Sequence, residues 1–447
     1  MRGRIATVVI LVLGACTAQP RRAFSDTFAG QPFIITFWCG PPLQDFTDAR
    51  AEEIAAAGFT VVGPPCEGGL DPASNRRALD VAAGHGLRVW INDPRLGGNL
   101  GAADPEPVVR AVVDAYRDHP ALAAYFVVDE PVVGQFSSVG AMAEQIHARD
   151  PQRFAYINLL PDYISPDHLG AASYEEYVER FILTTQPRLL SFDYYPFRTD
   201  EDRPTFFRNL AIIRAAAEHH GLPFMLIVLA MPHGPYRDPT EAEIAWQVFH
   251  ALAFGARGIS YFAYWTPHDR EAERQQFRTG LLDRGEPTRH YFEVQRINRE
   301  VRAITSQLAT FRSLGVSDSA KRIAPGPGLP DGPIDSVSGG TVTGGWFGDG
   351  EGRLAVLLVN RDYRAAATLR VRLRPGTPAP EIFDVDTQAW QLGLPQPLTI
   401  GPGRARLLRW NAGGPADRAP LLSSSCPIEN GHGPSDRLGV RWVRRGG

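Results

Sequence analysis

The sequence has very little lysine and no basic tract. Lys321 is the only lysine, whereas arginine is abundant. Lysine and arginine together number 46 against 49 acidic residues, which gives a formal net charge of -3. A nucleic-acid-binding protein normally concentrates positive charge on one surface. The composition therefore argues against nucleic acid as a partner.

Cysteine is also scarce, and its spacing excludes one class of site. The chain has four cysteines, at positions 16, 39, 66 and 426, without a Cys-x-x-Cys pair or a His/Cys cluster. We therefore predict no structural zinc site, no other metal site and no cofactor. Cys39 and Cys66 follow the first and second predicted strands. They either form a disulfide or pack as two small residues at neighbouring strand ends.

Long apolar runs are missing from the chain except at its start. Arg2 and Arg4 precede "IATVVILVLGA", which is the pattern of a secretory signal and is short for a membrane span. The run ends in "LGAC" and resembles the bacterial lipoprotein signal, which implies that Cys16 is lipidated. The alternative is an ordinary cleaved secretory peptide. Both interpretations predict export, and the first predicts a cell-envelope lipoprotein that contacts the membrane only through its lipid.

From residue 33 onward, short apolar runs alternate with amphipathic segments of helical period. Eight such pairs occupy about 280 residues, which is the size of a (β/α)8 TIM barrel. The strand-like runs are almost continuously apolar, as expected for parallel strands buried on both faces. A doubly wound sheet is the competing fold, but the first loop, "CGPPLQDF", lacks a glycine-rich phosphate motif. The predicted strands are "FIITFW", "FTVV", "LRVWI", "AYFVV", "RFAYINL", "LLSFDYY", "FMLIVLA" and "GISYFAYW".

The composition changes after about residue 312, where the turn-rich "APGPGLPDGP" is followed by short strand patterns and glycine-rich turns. These patterns predict a small antiparallel β-sandwich. The expected organisation is a signal peptide (1–15), a linker (16–30), a barrel (31–312), a β-sandwich (313–412) and a disordered tail (413–447).

Active sites of TIM barrels lie at the carboxyl ends of the strands. Polar and aromatic side chains accumulate there in this sequence. Carboxylates beside aromatic rings in an exported protein suggest carbohydrate chemistry, because glycoside hydrolysis uses two carboxyl groups and sugar rings stack on aromatic faces. The candidate site residues are Asp93, Arg95, Asp129, Glu130, Asn158, Asp193, Tyr194, Tyr195, His233, Tyr264 and Trp265.

Three segments, "YFVVDEP", "GARGISYFAYW" and "GLLDRGEPTRHYFEVQRIN", resemble glycoside hydrolase clan A, and most closely the family 42 β-galactosidases and their barrel relatives. The likeness spans roughly residues 31–310. It implies that Glu130 is the general acid/base at the end of the fourth strand. Asp129 stands where the clan has asparagine, and we expect it to bind substrate or a loop N–H.

The sequence departs from the clan at the seventh strand, where the resemblance calls for a glutamate nucleophile. "FMLIVLAMPHGPY" contains no carboxylate, and the next acids are Asp238 and Glu241. Asp193 on the sixth strand is the best substitute as base or nucleophile, and a carboxyl separation of ~6.5–9.5 Å from Glu130 would favour inversion.

Each candidate also has a purely structural interpretation. Glu130 could be a rim carboxylate paired with arginine, Asp193 a structural aspartate, and Trp265 simple rim packing in place of a sugar platform. The leading function is an exported glycoside hydrolase of an oligo- or polysaccharide. The alternative is a glycan-binding protein that has lost catalysis. A metal-dependent hydrolase fits poorly, because "FIITFWCG" lacks the His-x-His of such barrels.

Overall fold

The computed structural model describes residues 33–68, 70–319 and 332–411. The predicted signal peptide, the linker, the lipidation site at Cys16 and the tail after residue 412 lie outside the described residues. The barrel strands are β1 Ile34–Phe37, β2 Val61–Val62, β3 Arg88–Asn92, β4 Leu122–Asp129, β5 Phe154–Leu159, β6 Leu190–Tyr194, β7 Phe224–Leu229 and β8 Gly258–Phe262.

The helices lie between and beyond these strands and begin with local sequence signals. Asp71 accepts hydrogen bonds from the first turn of α2, and Thr240 and Glu243 form a capping box at α9. The helices are α1 Asp48–Ala56, α2 Pro72–Gly84, α3 Pro94–Gly97, α4 Glu106–Tyr116, α5 Phe136–Arg149, α6 Pro166–Leu169, α7 Tyr174–Thr185, α8 Phe206–His220, α9 Glu241–Ala253, α10 Arg270–Arg274 and α11 Arg289–Gln307.

The eight strands form one parallel sheet in the order β1-β8-β7-β6-β5-β4-β3-β2. This is the TIM barrel that the sequence predicts. Side chains that alternate along each strand form two layers, one inside the barrel and one between the barrel and its helices. The interior contains Trp38, Trp90, Tyr156, Met225 and Ile227, together with smaller residues.

The barrel is nearly closed between β1 and β2, where backbone contacts replace a continuous ladder. Gly40 donates to Pro64 O at 2.8 Å, and Gly40 and Pro65 form a parallel bridge. A Cβ on Gly63 would lie 1.8 Å from the carbonyl oxygen of Phe37, so only glycine allows this approach. A disulfide between Cys39 and Cys66 joins the same two strand ends.

A short hairpin, β9 Leu282–Asp283 and β10 Glu286–Pro287, precedes α11, and the remaining strands build a C-terminal antiparallel region. A six-stranded sheet has the order β11-β13-β14-β19-β16-β17, and a three-stranded sheet has the order β12-β15-β18. The strands are β11 Arg312–Asp318, β12 Ile334–Ser338, β13 Val342–Gly348, β14 Leu354–Asn360, β15 Ala367–Leu373, β16 Glu381–Asp384, β17 Ala389–Leu392, β18 Leu398–Ile400 and β19 Ala405–Trp410.

Alternation along β14 explains how the six-stranded sheet is buried on both faces. Val356 and Leu358 pack in the core shared with the three-stranded sheet, whereas Leu357 and Val359 belong to the barrel core. Trp246 on α9 donates from Nε1 to Arg361 O at 2.9 Å, which ties the barrel to the β region. No helix in the described ranges is long and apolar enough to span a bilayer.

Candidate functional site

Three carboxyl groups meet at the carboxyl-terminal end of the barrel. Asp129 ends β4, Glu130 follows it, and Asp193 lies on β6. An irregularity between Phe126 and Val128 shifts the pairing of β4 with β5, so that Asp129 lies level with Asn158. Strict alternation from Phe126 would direct Asp129 away from the interior, and the bulge turns it inward.

Asn158 holds two of the acids in place. Its Nδ2 donates to Asp129 Oδ1 at 3.1 Å and to Asp193 Oδ1 at 3.0 Å. Its Oδ1 accepts from the Ser191 hydroxyl at 3.1 Å, which fixes the orientation of the amide. The backbone N–H of Glu130 donates to Asn158 O at 2.9 Å. Asn158 therefore positions the Asp129 and Asp193 side chains through its amide, and the Glu130 backbone through its carbonyl oxygen.

The carboxyl groups of Glu130 and Asp193 are hydrogen-bonded to each other. Asp193 is only 4% exposed, whereas Glu130 is open to solvent. No arginine forms an ion pair with Glu130 among the residues that the structure describes. Glu130 also has a φ of 49°, which is unusual for glutamate and typical of strain at functional positions. The arginine-paired rim carboxylate is thus not the arrangement observed.

The surrounding protein favours the neutral form of these acids. Desolvation by the surrounding barrel walls raises the pKa of Asp129 to about 7, although the residue keeps contact with solvent, and the negative charge of Glu130 adds to the shift. Burial also raises the pKa of Glu130. The pKa of Asp193 is raised well above its usual value by burial and then by the charges of Glu130 and Asp129. Burial therefore favours the protonated form of Asp193, which is opposite to what a nucleophile or general base requires.

The end of β7 faces this cluster without an acid. Ala230 and Met231 follow the strand, and both are fully buried. The next acids along the chain bind basic side chains away from the site. Asp238 binds His290 at 2.8 Å and Arg289 at 2.7 Å, and Glu241 binds Arg296 at 2.6 Å. The carboxylate that the clan resemblance requires is therefore not supplied from this part of the chain.

Aromatic side chains form the wall of the site beside the acids. The ring of Tyr195 contacts His233 and Tyr236, each at 5.3 Å between centroids, and Phe262 at 5.5 Å. His233 Nδ1 bonds Met231 O at 2.9 Å, and burial lowers the pKa of His233 to about 4, so the ring is neutral. The predicted positions Tyr195 and His233 thus lie together.

Four other predicted contact residues are committed to structural contacts. Asp93 accepts from the Tyr116 hydroxyl at 2.9 Å and from Arg95 Nη2 at 2.6 Å, and neither Asp93 nor Arg95 contacts the three acids. The buried Tyr194 hydroxyl bonds Thr205 at 2.8 Å, and the buried Tyr264 hydroxyl donates to Glu53 at 2.5 Å. These two tyrosines face the surrounding helices, because they alternate with inward-facing neighbours.

Trp265 lies at the rim with little of its ring available. Its Nε1 donates to Glu67 Oε1 at 3.0 Å, and the guanidinium of Arg50 lies 5.5 Å from the ring centroid. Only 8% of the residue is exposed. The predicted role as an open sugar platform therefore does not match its surroundings, and rim packing does.

Sequence reasoning missed the aromatic floor of the site. Trp38, Phe126 and Tyr156 contact one another, with ring centroids 5.6–6.2 Å apart. The charges of Asp129 and Asp193 influence the hydroxyl of Tyr156, which places the floor next to the acids. Alternation within the strands is the signal that could have found Phe126 and Tyr156. Across the described residues, no group of three or more His, Cys, Asp or Glu side chains is arranged to hold a metal ion.

Solved structures with the same fold are glycoside hydrolases. A catalytic mutant of a family 42 β-galactosidase from G. stearothermophilus matches with a TM-score of 0.57 and 8% identity, over 84% of this chain and 98% of that chain. A β-galactosidase from Bacillus circulans sp. alkalophilus matches with a TM-score of 0.54 and 8% identity, over 85% of this chain and 99% of that chain. A family 5 glycoside hydrolase from Bacteroides vulgatus matches with a TM-score of 0.52 and 12% identity, over 84% of this chain and 89% of that chain.

These likenesses show the fold, a (β/α)8 barrel followed by a C-terminal β region. No protein-family model matches the chain, and the comparison with curated proteins gives no match.

Proposed function

We propose that this protein is a glycoside hydrolase in which Glu130 is the general acid. The observation that carries the proposal is the solvent-open Glu130 carboxyl at the base of the barrel mouth, in hydrogen-bond contact with a buried acid. A general acid must hold its proton near the working pH, and burial raises the pKa of Glu130 in that direction, against the lowering effect of the hydrogen bond with Asp193. Asp193 acts in this scheme as a proton-holding partner of Glu130.

The substrate is an oligo- or polysaccharide. The partly exposed rings of Phe126 and Phe262 suit the apolar faces of sugar rings, and the acids suit their hydroxyls and leaving oxygen. The glycosidase-like fold supports the same substrate class. Bond cleavage then depends on the placement of the glycosidic oxygen within hydrogen-bond reach of Glu130.

A screen of the purified protein against chromogenic glycosides and polysaccharides tests this function. Release of the chromophore or of reducing ends is the expected result, and NMR of the first product gives its anomeric configuration. If no glycoside or polysaccharide is cleaved over long incubation, the hydrolase assignment is wrong.

A glycan-binding protein without catalysis is the second candidate, and Ala230 and Met231 at the end of β7 favour it. Isothermal titration with the same glycans separates the two. Binding without any release of reducing ends would identify the binding protein, and turnover would exclude it.

We also propose that the protein is exported and lipid-anchored at Cys16, on the strength of the "LGAC" signal. Metabolic labelling with an alkyne fatty acid should mark the wild-type chain and not Cys16→Ser. Labelling of both would locate the lipid elsewhere, and labelling of neither would favour an ordinary secretory peptide.

A further inference from the structure

The acids in the site leave the attacking atom of the reaction unassigned. Asp193 is only 4% exposed, and its Oδ1 accepts from Asn158 Nδ2 at 3.0 Å, so this acid is held in the barrel interior and is not presented to a bound sugar as a nucleophile. An inverting pair needs a water between carboxyls ~6.5–9.5 Å apart, and the buried Asp193 is not open to the solvent that would supply it. Ala230 and Met231 stand at the end of β7, where no carboxylate is available. Neither Asp193 nor an acid that follows β7 is thus placed as nucleophile.

We infer that the substrate supplies the nucleophile itself, and that the site takes a β-linked 2-acetamido-2-deoxy sugar whose amide is held between Asp129 and Tyr195. This inference rests on the proposed glycoside hydrolase function and names its substrate class. The acetamido carbonyl oxygen lies next to the anomeric carbon, so it can attack without a protein nucleophile.

The steps balance without any further reagent. The amide oxygen forms a bond to C1 while the glycosidic C1–O bond breaks, and Glu130 gives its proton to the leaving alcohol. This produces a cyclic oxazolinium ion and the Glu130 carboxylate. The carboxylate then removes a proton from water, whose oxygen attacks C1 and opens the ring. The acetamido group is restored, the β-configuration is retained, and Glu130 is protonated again.

Asp129 is suited to the amide N–H and to the charge that develops on it. One carboxyl oxygen, Oδ1, accepts from Asn158, and the residue is otherwise open to the barrel mouth. Asp129 is also adjacent in sequence to Glu130, so the two groups reach the same sugar from one strand end. The positive charge that develops on the bound amide favours the ionised form of Asp129 against the raised pKa of its carboxyl, and the carboxylate then stabilises the oxazolinium ion electrostatically.

Tyr195 is suited to orient the amide carbonyl. Its hydroxyl has no hydrogen-bond partner among the described residues, although its ring is packed by His233, Tyr236 and Phe262. Tyr195 directly follows β6 and is two residues after Asp193, so the two side chains lie at the same strand end and on the same side of the strand. A packed tyrosine with an unused hydroxyl is a pre-organised donor for one ligand oxygen.

An apolar surface for the acetamido methyl group lies below the acids. Phe126 is partly exposed, and it packs against Trp38 at 5.6 Å and Tyr156 at 6.2 Å between ring centroids. Carboxyl, hydroxyl and apolar contacts are thus available within one corner of the site. A sugar with a plain 2-hydroxyl would leave this corner unfilled and would have no internal nucleophile.

The test compares p-nitrophenyl β-glycosides that differ only at C2, namely N-acetylglucosaminide and N-acetylgalactosaminide against glucoside and galactoside. We expect kcat/KM to be at least about 100-fold higher for the acetamido sugars, because oriented internal groups act at effective molarities from about 10⁵ M. Mono-, di- and trifluoroacetyl analogues should react progressively more slowly, since fluorine weakens the amide oxygen as a nucleophile.

Asp129→Asn should lower kcat on the acetamido substrates and reduce their sensitivity to fluorination, which a purely structural role would not change. Glu286→Gln, at an exposed position in β10, is the matched control and should behave as wild type.

Cleavage of the 2-hydroxy glycosides at equal or higher efficiency would overturn the acetamido inference and leave the hydrolase function standing. Rates that do not respond to fluorination would overturn it as well. A protein that cleaves no member of either series would contradict the hydrolase function itself.

Discussion

Glu130 and Asp193, on neighbouring parts of the barrel rim, share a hydrogen bond between their carboxyl groups. The pair reaches solvent only through Glu130, because Asp193 is 4% exposed. This asymmetry places the two acids in different surroundings, with Asp193 in the barrel interior and Glu130 at the surface of the site. Substitution of Glu130 should therefore have the most direct effect on activity.

Glu130→Gln should reduce kcat/KM on any cleaved glycoside by about 10²–10⁴-fold, because a positioned general acid contributes that much to the rate. Glutamine keeps the size of the side chain and removes the proton donor. Steady-state kinetics on a glycoside with a poor leaving group measure this loss of kcat/KM most clearly. Glu286→Gln is the matched control at an exposed site and should retain wild-type rates. A Glu130→Gln enzyme with undiminished rates would remove Glu130 from the mechanism.

The general position of Glu130 was predictable from sequence because a run of buried residues ends in two adjacent acids. The eight-unit alternation then placed that run at a barrel mouth. Whether an individual side chain points into or out of the barrel was harder to predict from the sequence. Alternation along β6 correctly implies that Asp193 faces inward, and the same rule places the predicted contact Tyr194 outward. The bulge that turns Asp129 inward depends on pairing with β5 and has no signature in β4 alone.

Contacts between distant segments account for the rest of what the sequence did not predict. Trp265 is covered by Glu67 and Arg50, which are more than 190 residues away in the chain. The commitment of Asp93 to Tyr116 depends on how α4 packs against β3. The hydrogen bond between Glu130 and Asp193 depends on the tilt of two strands. Local patterns contain none of these relationships, since each is set by tertiary packing.

Asn158→Ala should move the pH dependence of activity. The Nδ2 donor of Asn158 favours the ionised forms of Asp129 and Asp193, so its loss raises the pKa of both carboxyls further. We expect the alkaline limb of the kcat profile to shift toward higher pH. Asn298→Ala is the matched control, because Asn298 is an equally buried asparagine that binds Tyr261 and Ala57 away from the acids. An unchanged profile in Asn158→Ala would show that Asn158 does not tune the cluster.

Asp129→Asn should stabilise the protein at neutral and alkaline pH. The folded pKa of Asp129 is about 7 against an unfolded value of 3.8. Between these values the folded state binds more protons than the unfolded state, so wild-type stability falls as pH rises, and the loss is complete above pH 7. Asparagine does not ionise and escapes this loss. Because Asp129 is open to water, we expect a gain of only about 1 kcal/mol in the free energy of unfolding at pH 8.

Urea denaturation at pH 8 and pH 3.5 measures this effect. The difference between Asp129→Asn and wild type should disappear at pH 3.5, where the carboxyl is protonated in both states. Asp118→Asn, at a side chain that is 96% exposed, is the control and should change stability at neither pH. A gain that persists at pH 3.5 would have to come from packing and not from ionisation.

The Cys39–Cys66 disulfide should stabilise the open edge of the barrel. It closes a segment with a sequence separation of 27, for which chain entropy predicts about 3–4 kcal/mol. The Cys39→Ser/Cys66→Ser double variant should therefore unfold at lower denaturant concentration than the oxidised wild type. Wild type treated with reductant is the control and should match the variant. Equal stability of all three samples would mean that the barrel edge does not depend on this bond.

Gly345 in β13 sets how closely the C-terminal region approaches the barrel. A Cβ at this position would lie 2.3 Å from the carbonyl oxygen of Ala253 at the end of α9, and a backbone atom cannot rotate away. Gly345→Ala should therefore destabilise the protein by about 1–3 kcal/mol through overpacking. Gly101→Ala is the matched control, because nothing lies within 4 Å of a Cβ there. Thermal unfolding distinguishes them, since Gly101→Ala should keep the wild-type transition while Gly345→Ala lowers or splits it. A Gly345→Ala protein that melts as wild type does would show that the interface adjusts without loss.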